Sequence, residues 1–143
     1  QTIDRIIDVF PSHQQQQVRV QLANTLEGVL CQQLLPRADN KGRVAVREVM
    51  KVTPAISNLI REGKTHQIYS AIDTGSKFGM VSMDTALLEL VKQRVITPDV
   101  AISKSSNPES LRGRIVAGGV VSPSLGARPA PPSSGPGQMG RKI

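Results

Sequence analysis

At 143 residues and 15.4 kDa, the chain is the size of one domain, or of one domain and a tail, which excludes two domains of ordinary size. Aromatic residues are 2% against 38% hydrophobic ones, so the core must come from Val, Ile, Leu, Met and Ala, and aromatic platforms for stacking single-stranded bases are not expected. The net charge of +7 invites a nucleic-acid or anionic-membrane reading.

In chain order, Ile3, Ile6, Ile7 and Phe10 fall at helical spacing and Pro11 stops the run, which predicts a short amphipathic helix under way at the first residues. Ser12 is the expected N-cap of a second helix whose apolar stripe is Val18, Leu22, Ala23 and Leu26. Gly28 to Leu35 and Arg43 to Met50 carry strand patterns around a turn-rich Pro36-to-Gly42 connection, and the simplest assembly is an antiparallel hairpin. Thr53-Pro54 opens a helix with Ile56, Leu59 and Ile60 inward and Gly63 at its end. A further helix is expected from Thr65 to Gly75 on Ile68, Ala71 and Ile72, and another from Ser82 on Met83, Ala86, Leu87, Leu90 and Val91. Thr97-Pro98 opens one more, and Asn107-Pro108 a last turn. From Gly113 the composition shifts to Gly, Pro, Ser and Ala without apolar periodicity. Residues 1–112 are therefore expected to fold and 113–143 to form a disordered basic tail, in which Ile115, Val116, Val120 and Val121 alone are suited to docking.

The charge divides along that boundary. Residues 1–112 hold 14 basic and 11 acidic residues, whereas 113–143 hold Arg114, Arg128, Arg141 and Lys142 with no acid, so the excess is +3 and +4. The folded part has an ordinary mixed surface, which weakens the nucleic-acid reading.

Gly63-Lys64-Thr65 matches the last three positions of a phosphate-binding loop, but Asn58 stands where that loop needs its first glycine, and a helix precedes it where a strand is required. It reads as a helix cap, a solvent lysine and the next cap. His13 and His66 are isolated, and Cys31 reads as a buried, inert thiol. Asp4 and Asp8 lie one helical turn apart, as two metal ligands or two members of a charged face would. No catalytic constellation and no metal site are expected. A single cysteine excludes an internal disulfide and fits a reducing, cytosolic setting. No run reaches the roughly 20 apolar residues of a membrane span. The start at Gln1, without a methionine or a signal pattern, reads as a cut inside a larger protein.

The runs Thr2-Ile3-Asp4-Arg5-Ile6-Ile7-Asp8-Val9-Phe10-Pro11, Val18-Arg19-Val20-Gln21-Leu22-Ala23 and Gln32-Gln33-Leu34-Leu35-Pro36-Arg37 resemble the C-terminal ATPase domain of the PilT-type retraction motors of type IV pili, within the type II and type IV secretion ATPase family. Ala55-Ile56-Ser57-Asn58-Leu59-Ile60-Arg61-Glu62-Gly63-Lys64 is similar to the AIRNLIREGK signature of that branch, and the resemblance covers residues 1 to about 112.

The resemblance implies an α+β, mostly helical piece of a RecA-like P-loop domain, a β-hairpin plus helical bundle. It implies a homohexameric motor that uses ATP and Mg2+, lies in the cytoplasm peripheral to the bacterial inner membrane, and works with a pilus platform protein there. The phosphate loop, acidic boxes and histidine box lie upstream of the matched segment, so the chain alone is not expected to bind nucleotide strongly or hydrolyse it. Carried over by position, Arg5 is the nucleotide-linked residue, and Ala55, Ile56, Asn58, Leu59, Ile60 and Arg61 form the retraction signature, with Asn58 and Arg61 expected to point outward. An equally weighted reading pairs Arg5 with Asp8 or a glutamate on the helix surface. Ser57 departs from the family, which has arginine there. With Cys31 alone, the four-cysteine zinc insertion usual in the assembly and type II secretion relatives is impossible, which favours retraction. An assembly or secretion ATPase is the first alternative, and a small basic helical adaptor that binds nucleic acid is the second. As a piece, the chain is expected to be marginally stable or to associate.

Overall fold

The computed structural model describes residues 2–119. They form α1 (Thr2–Ile7), α2 (Ser12–Thr25), β1 (Gly28–Pro36), β2 (Arg43–Lys51), α3 (Pro54–Arg61), α4 (Ile68–Asp73), α5 (Met83–Lys92), α6 (Pro98–Lys104) and α7 (Pro108–Ala117). The architecture is the mostly helical α+β arrangement expected, with one antiparallel hairpin.

Helix starts follow capping chemistry. Thr53, Ser82, Thr97 and Asn107 each accept the amide of the residue three positions on: Ile56, Thr85, Val100 and Ser110. Proline occupies the first turn of α3, α6 and α7, where its missing N–H has no intrahelical acceptor to lose. Ser12 departs from expectation. Pro11 already holds extended backbone and takes the cap position without a side-chain bond, so Ser12 is the first helical residue. α1 stops at Ile7 rather than Phe10, because the residue before Pro11 is sterically kept out of the helical region. The helix expected over Thr65 to Gly75 is split into a 3-10 turn at Thr65–Gln67 and α4. The last turn expected at Asn107-Pro108 is a ten-residue helix, anchored by buried Leu111 and Ile115 at helical spacing. Residues 113–117 of the expected tail therefore belong to α7, and 120–143, with Val120 and Val121, lie outside the described residues.

The hairpin register runs from Gly28 opposite Lys51 to Pro36 opposite Arg43. Its inner face serves two separate cores. Leu35 and Val46 pack with Met83, Leu87, Leu88 and Val91 of α5, Ala101 of α6, and Leu111 and Ile115 of α7. Four residues along β2, Met50 packs with Ile3, Ile7 and Ala23 of α1 and α2, Ile56 and Ile60 of α3, and Ile68 and Ile72 of α4. Glu48 stands between Val46 and Met50 on the same face, half-buried. Its Oε2 accepts the Met83 amide at 3.1 Å, placing a carboxylate at the positive end of α5.

Asp84, in the first turn of α5, is 1% exposed. It accepts the Tyr69 hydroxyl at 2.8 Å and the Ser106 and Asn107 amides at 3.1 and 3.3 Å, so one carboxylate ties α4, α5 and the entry to α7 together. Asp84→Ala strands three donors and should lower the unfolding free energy by about 3 kcal/mol, read by urea titration.

Burial, and then the hydrogen bond to Asp84, push the Tyr69 hydroxyl pKa up. As the pH rises past about 10, the unfolded chain releases this proton while the folded chain keeps it, so stability must fall with alkaline pH. Tyr69 is the sole tyrosine, and its phenolate absorbance should therefore appear at higher pH in the folded than in the denatured chain; Tyr69→Phe should remove that part of the alkaline loss.

Candidate functional site

α3 is fixed on three sides. Ile56 and Ile60 are fully buried, and half-buried Leu59 packs against the same core. Gly63 ends the helix in the left-handed region at φ 70°, with the Lys64 amide returning to the Leu59 carbonyl at 2.9 Å.

The polar residues face α2. The Ser57 hydroxyl donates to the Ala23 carbonyl at 2.6 Å, satisfying a carbonyl in the last turn of α2, where intrahelical donors run out. The Arg61 guanidinium donates to Asn58 Oδ1 at 2.8 Å and to Asn24 Oδ1 at 3.0 Å, and the Gln16 amide reaches the Arg61 carbonyl at 3.4 Å. Together, Asn24, Glu27, Thr53, Ser57, Asn58 and Arg61 line an open depression of about 410 Å³. Asn58 is exposed as expected. Arg61, expected to point outward, is half-buried and donates to Asn24 of α2. Ala55 is exposed beside them.

The remaining candidates do not converge on this depression. Arg5 is exposed on α1, and among the described residues it makes no ion pair, with Asp8 or any other acid. Burial alone would raise the Asp4 carboxyl, but hydrogen bonding, that of the Thr65 side chain first, holds it below its usual value. The Arg19 guanidinium lies over Gly63, about 3.5 Å from where a Cβ would stand. Lys64 pairs with Glu62 at 2.8 Å. Gly63, Lys64 and Thr65 thus serve as a helix cap, an exposed ion pair and a tie to α1, an arrangement that does not fit a nucleotide phosphate. Among the described residues no three His, Cys, Asp or Glu side chains cluster as metal ligands would. His13 and His66 are exposed, and Cys31 is half-buried, 3.6 Å from the Thr2 hydroxyl.

Asn24 and the Ala23 carbonyl escaped the sequence reading. Both are 34 or more residues from their partners on α3, and neither carries a local signal. Ser57→Ala removes one hydrogen bond and should cost about 1 kcal/mol with helix content unchanged in circular dichroism, because the exposed rim lets water reach the freed carbonyl.

No protein-family model matches the chain. It is 44% identical over 110 residues to a twitching motility protein of Neisseria gonorrhoeae, which covers 77% of this chain and 29% of that protein. It is 45% identical over 109 residues to the type IV pilus retraction ATPase PilT of Pseudomonas aeruginosa, covering 76% of this chain and 31% of the relative. A crystal structure of the pilus retraction motor PilT with bound ADP superposes with a TM-score of 0.67 at 40% identity, over 78% of this chain and 31% of that one. The chain thus spans about 30% of the length of the relatives it matches. By sequence and by fold, the chain is a homologue of the C-terminal part of the PilT-type pilus retraction ATPases.

Proposed function

We propose that this chain is the C-terminal segment of a hexameric, ATP-driven motor that retracts type IV pili, and that α3 with its depression passes the motor's movement to a partner. The supporting observation is the α3 surface itself. It matches the retraction signature at Ala55, Ile56, Asn58, Leu59, Ile60 and Arg61, and its polar positions are oriented by side-chain bonds rather than left to solvent. A guanidinium fixed by two amide oxygens is a rigid cationic donor, suited to an acidic or carbonyl-rich partner surface.

In this reading ATP and Mg2+ bind elsewhere in the whole protein, on residues this chain does not supply, and Arg5 presents an uncommitted guanidinium from α1 toward nucleotide charge at a subunit boundary. The motor works on the cytoplasmic side of the inner membrane, with a platform protein of the pilus machinery as partner. Among the described residues no helix is long and apolar enough to cross a membrane, so attachment would be peripheral. Retraction is preferred over assembly or secretion because one cysteine cannot build the four-cysteine zinc insertion of those relatives.

The test is a chimera in which residues 2–119 replace the matching part of the Pseudomonas aeruginosa retraction ATPase. The chimera should restore twitching to a strain lacking that ATPase. Asn58→Ala with Arg61→Ala in the chimera should abolish twitching while ATP hydrolysis and hexamer size are kept. Normal twitching by the double variant would show that α3 only packs and would end the transmission role.

A further inference from the structure

We infer that the hairpin tip, the end of α5 and residues 120–143 form a basic end that docks on anionic phospholipid headgroups. The Ala38 amide donates to the Val95 carbonyl at 2.9 Å, which holds the tip against the turn that follows α5. Residues 36–43 and 92–95 thus carry Arg37, Lys41, Arg43, Lys92 and Arg94 at one end of the molecule, with Asp39 as their single acid. Arg37 is taken up by Asp39 at 2.9 Å. The other four cations are exposed and make no ion pair among the described residues. Elsewhere, residues 2–119 hold ten basic and ten acidic side chains, so the whole positive excess of the described chain lies at this end. α7 returns there as well: Lys92 Cε lies 3.9 Å from where a Cβ on Gly118 would stand. The 24 residues after Gly119 therefore leave from the basic end, and they add Arg128, Arg141 and Lys142 without an acid. They lie past the stretch that resembles the relatives, so the part of the motor domain absent from this chain gives no reason for their charge.

Arg94 shows that this charge is not incidental. Its φ is 57°, in the left-handed region just past the α5 C-cap, where glycine is the unstrained residue. A cation kept at a strained position points to function rather than stability. The partner is a charged surface rather than nucleic acid, because no aromatic residue lies in 36–43, 92–95 or 120–143 to stack on bases. Val120-Val121 instead places two apolar side chains in sequence beside the cations, a combination suited to the headgroup boundary of a bilayer. Each Lys or Arg near an anionic leaflet contributes roughly fivefold to binding, and the effect fades within a Debye length. In a cyclic hexamer six such ends share one face, so weak contacts add. The inference names the surface and the lipid class for the peripheral attachment proposed above, and it rests on that reading.

Vesicles of phosphatidylcholine with about 40% phosphatidylglycerol should sediment the 143-residue chain at about 0.1 M NaCl. Vesicles of phosphatidylcholine alone, or about 0.5 M NaCl, should leave it in solution. Lys41→Gln with Arg43→Gln should weaken binding about 20-fold. Lys51→Gln with Lys77→Gln removes the same charge at the far end of β2 and should leave binding nearly unchanged. Arg94→Gly should weaken binding about fivefold yet raise the urea midpoint, opposite effects that a merely structural arginine would not give. Absence of vesicle binding, equal losses from the two double variants, or tighter binding to a short DNA duplex than to the vesicles at the same salt would each overturn the inference. In the chimera, extended to carry residues 2–143, the Lys41→Gln, Arg43→Gln pair should likewise weaken vesicle binding with ATP hydrolysis unchanged. A chimera indifferent to that pair would mean that the rest of the motor covers this end, and would overturn it. Twitching restored without vesicle binding would also overturn it and leave the retraction reading intact, whereas a chimera that binds vesicles but does not twitch would support this surface and count against retraction.

Discussion

One strand serves two hydrophobic cores, and the arrangement of the described chain follows from that. Side chains on β2 alternate, so Val46 and Met50 point the same way but lie four residues apart, roughly 13 Å along the strand. That distance is too long for one cluster, and each residue collects its own helices: α5, α6 and α7 around Val46, α1 to α4 around Met50. Glu48 lies between them. A carboxylate on a face otherwise apolar would be costly to bury unbonded, and the Met83 amide resolves it. The same bond fixes where α5 begins, one residue after the Ser82 cap. A polar residue thus separates two cores and aims the helix that closes one of them.

What the sequence made readable was local. The caps at Thr53, Ser82, Thr97 and Asn107 lie within four residues of the groups they satisfy, and the alternation of β2 is visible in eight letters. Asp84 was invisible as a structural centre, because an acidic residue in the first turn of a helix is ordinary. Its weight comes from Tyr69, 15 residues back, and from Ser106 and Asn107, 22 and 23 residues on. The same distance hid the role of Ser57. In sequence it is a missing positive charge; in the fold it is a bond to α2. Ile115 shows the opposite failure. Composition assigned it to a tail, yet its spacing from Leu111 buries both in one core and carries α7 past the expected boundary.

α3 is also tied to α1 by a route that no motif announced. The Thr65 side chain bonds Asp4, and Arg19 of α2 lies over Gly63, so the end of the signature helix meets both preceding helices. One guanidinium nitrogen of Arg19 is buried there without a hydrogen-bond partner, an incomplete arrangement beside an otherwise bonded helix end. Gly63 is needed at this point for its positive φ, which turns the chain, whereas a Cβ there would meet Arg19 only at ordinary contact distance.

The two surfaces that matter most therefore differ in how complete they are. On α3, Ser57, Asn58 and Arg61 are all bonded within the described residues, so the geometry of the depression needs nothing further to hold it. On β1, the backbone along a nine-residue edge is bonded on one side only among the described residues, and the strand carries apolar residues on both faces: Val29 and Leu35 inward, Leu30 and Leu34 outward. Strands apolar on both faces belong inside larger sheets, where neighbours complete the ladder and cover the second face. The chain thus presents a polar site whose bonds are complete among the described residues, suited to recognition with little rearrangement, and a strand whose composition suits the interior of a larger sheet.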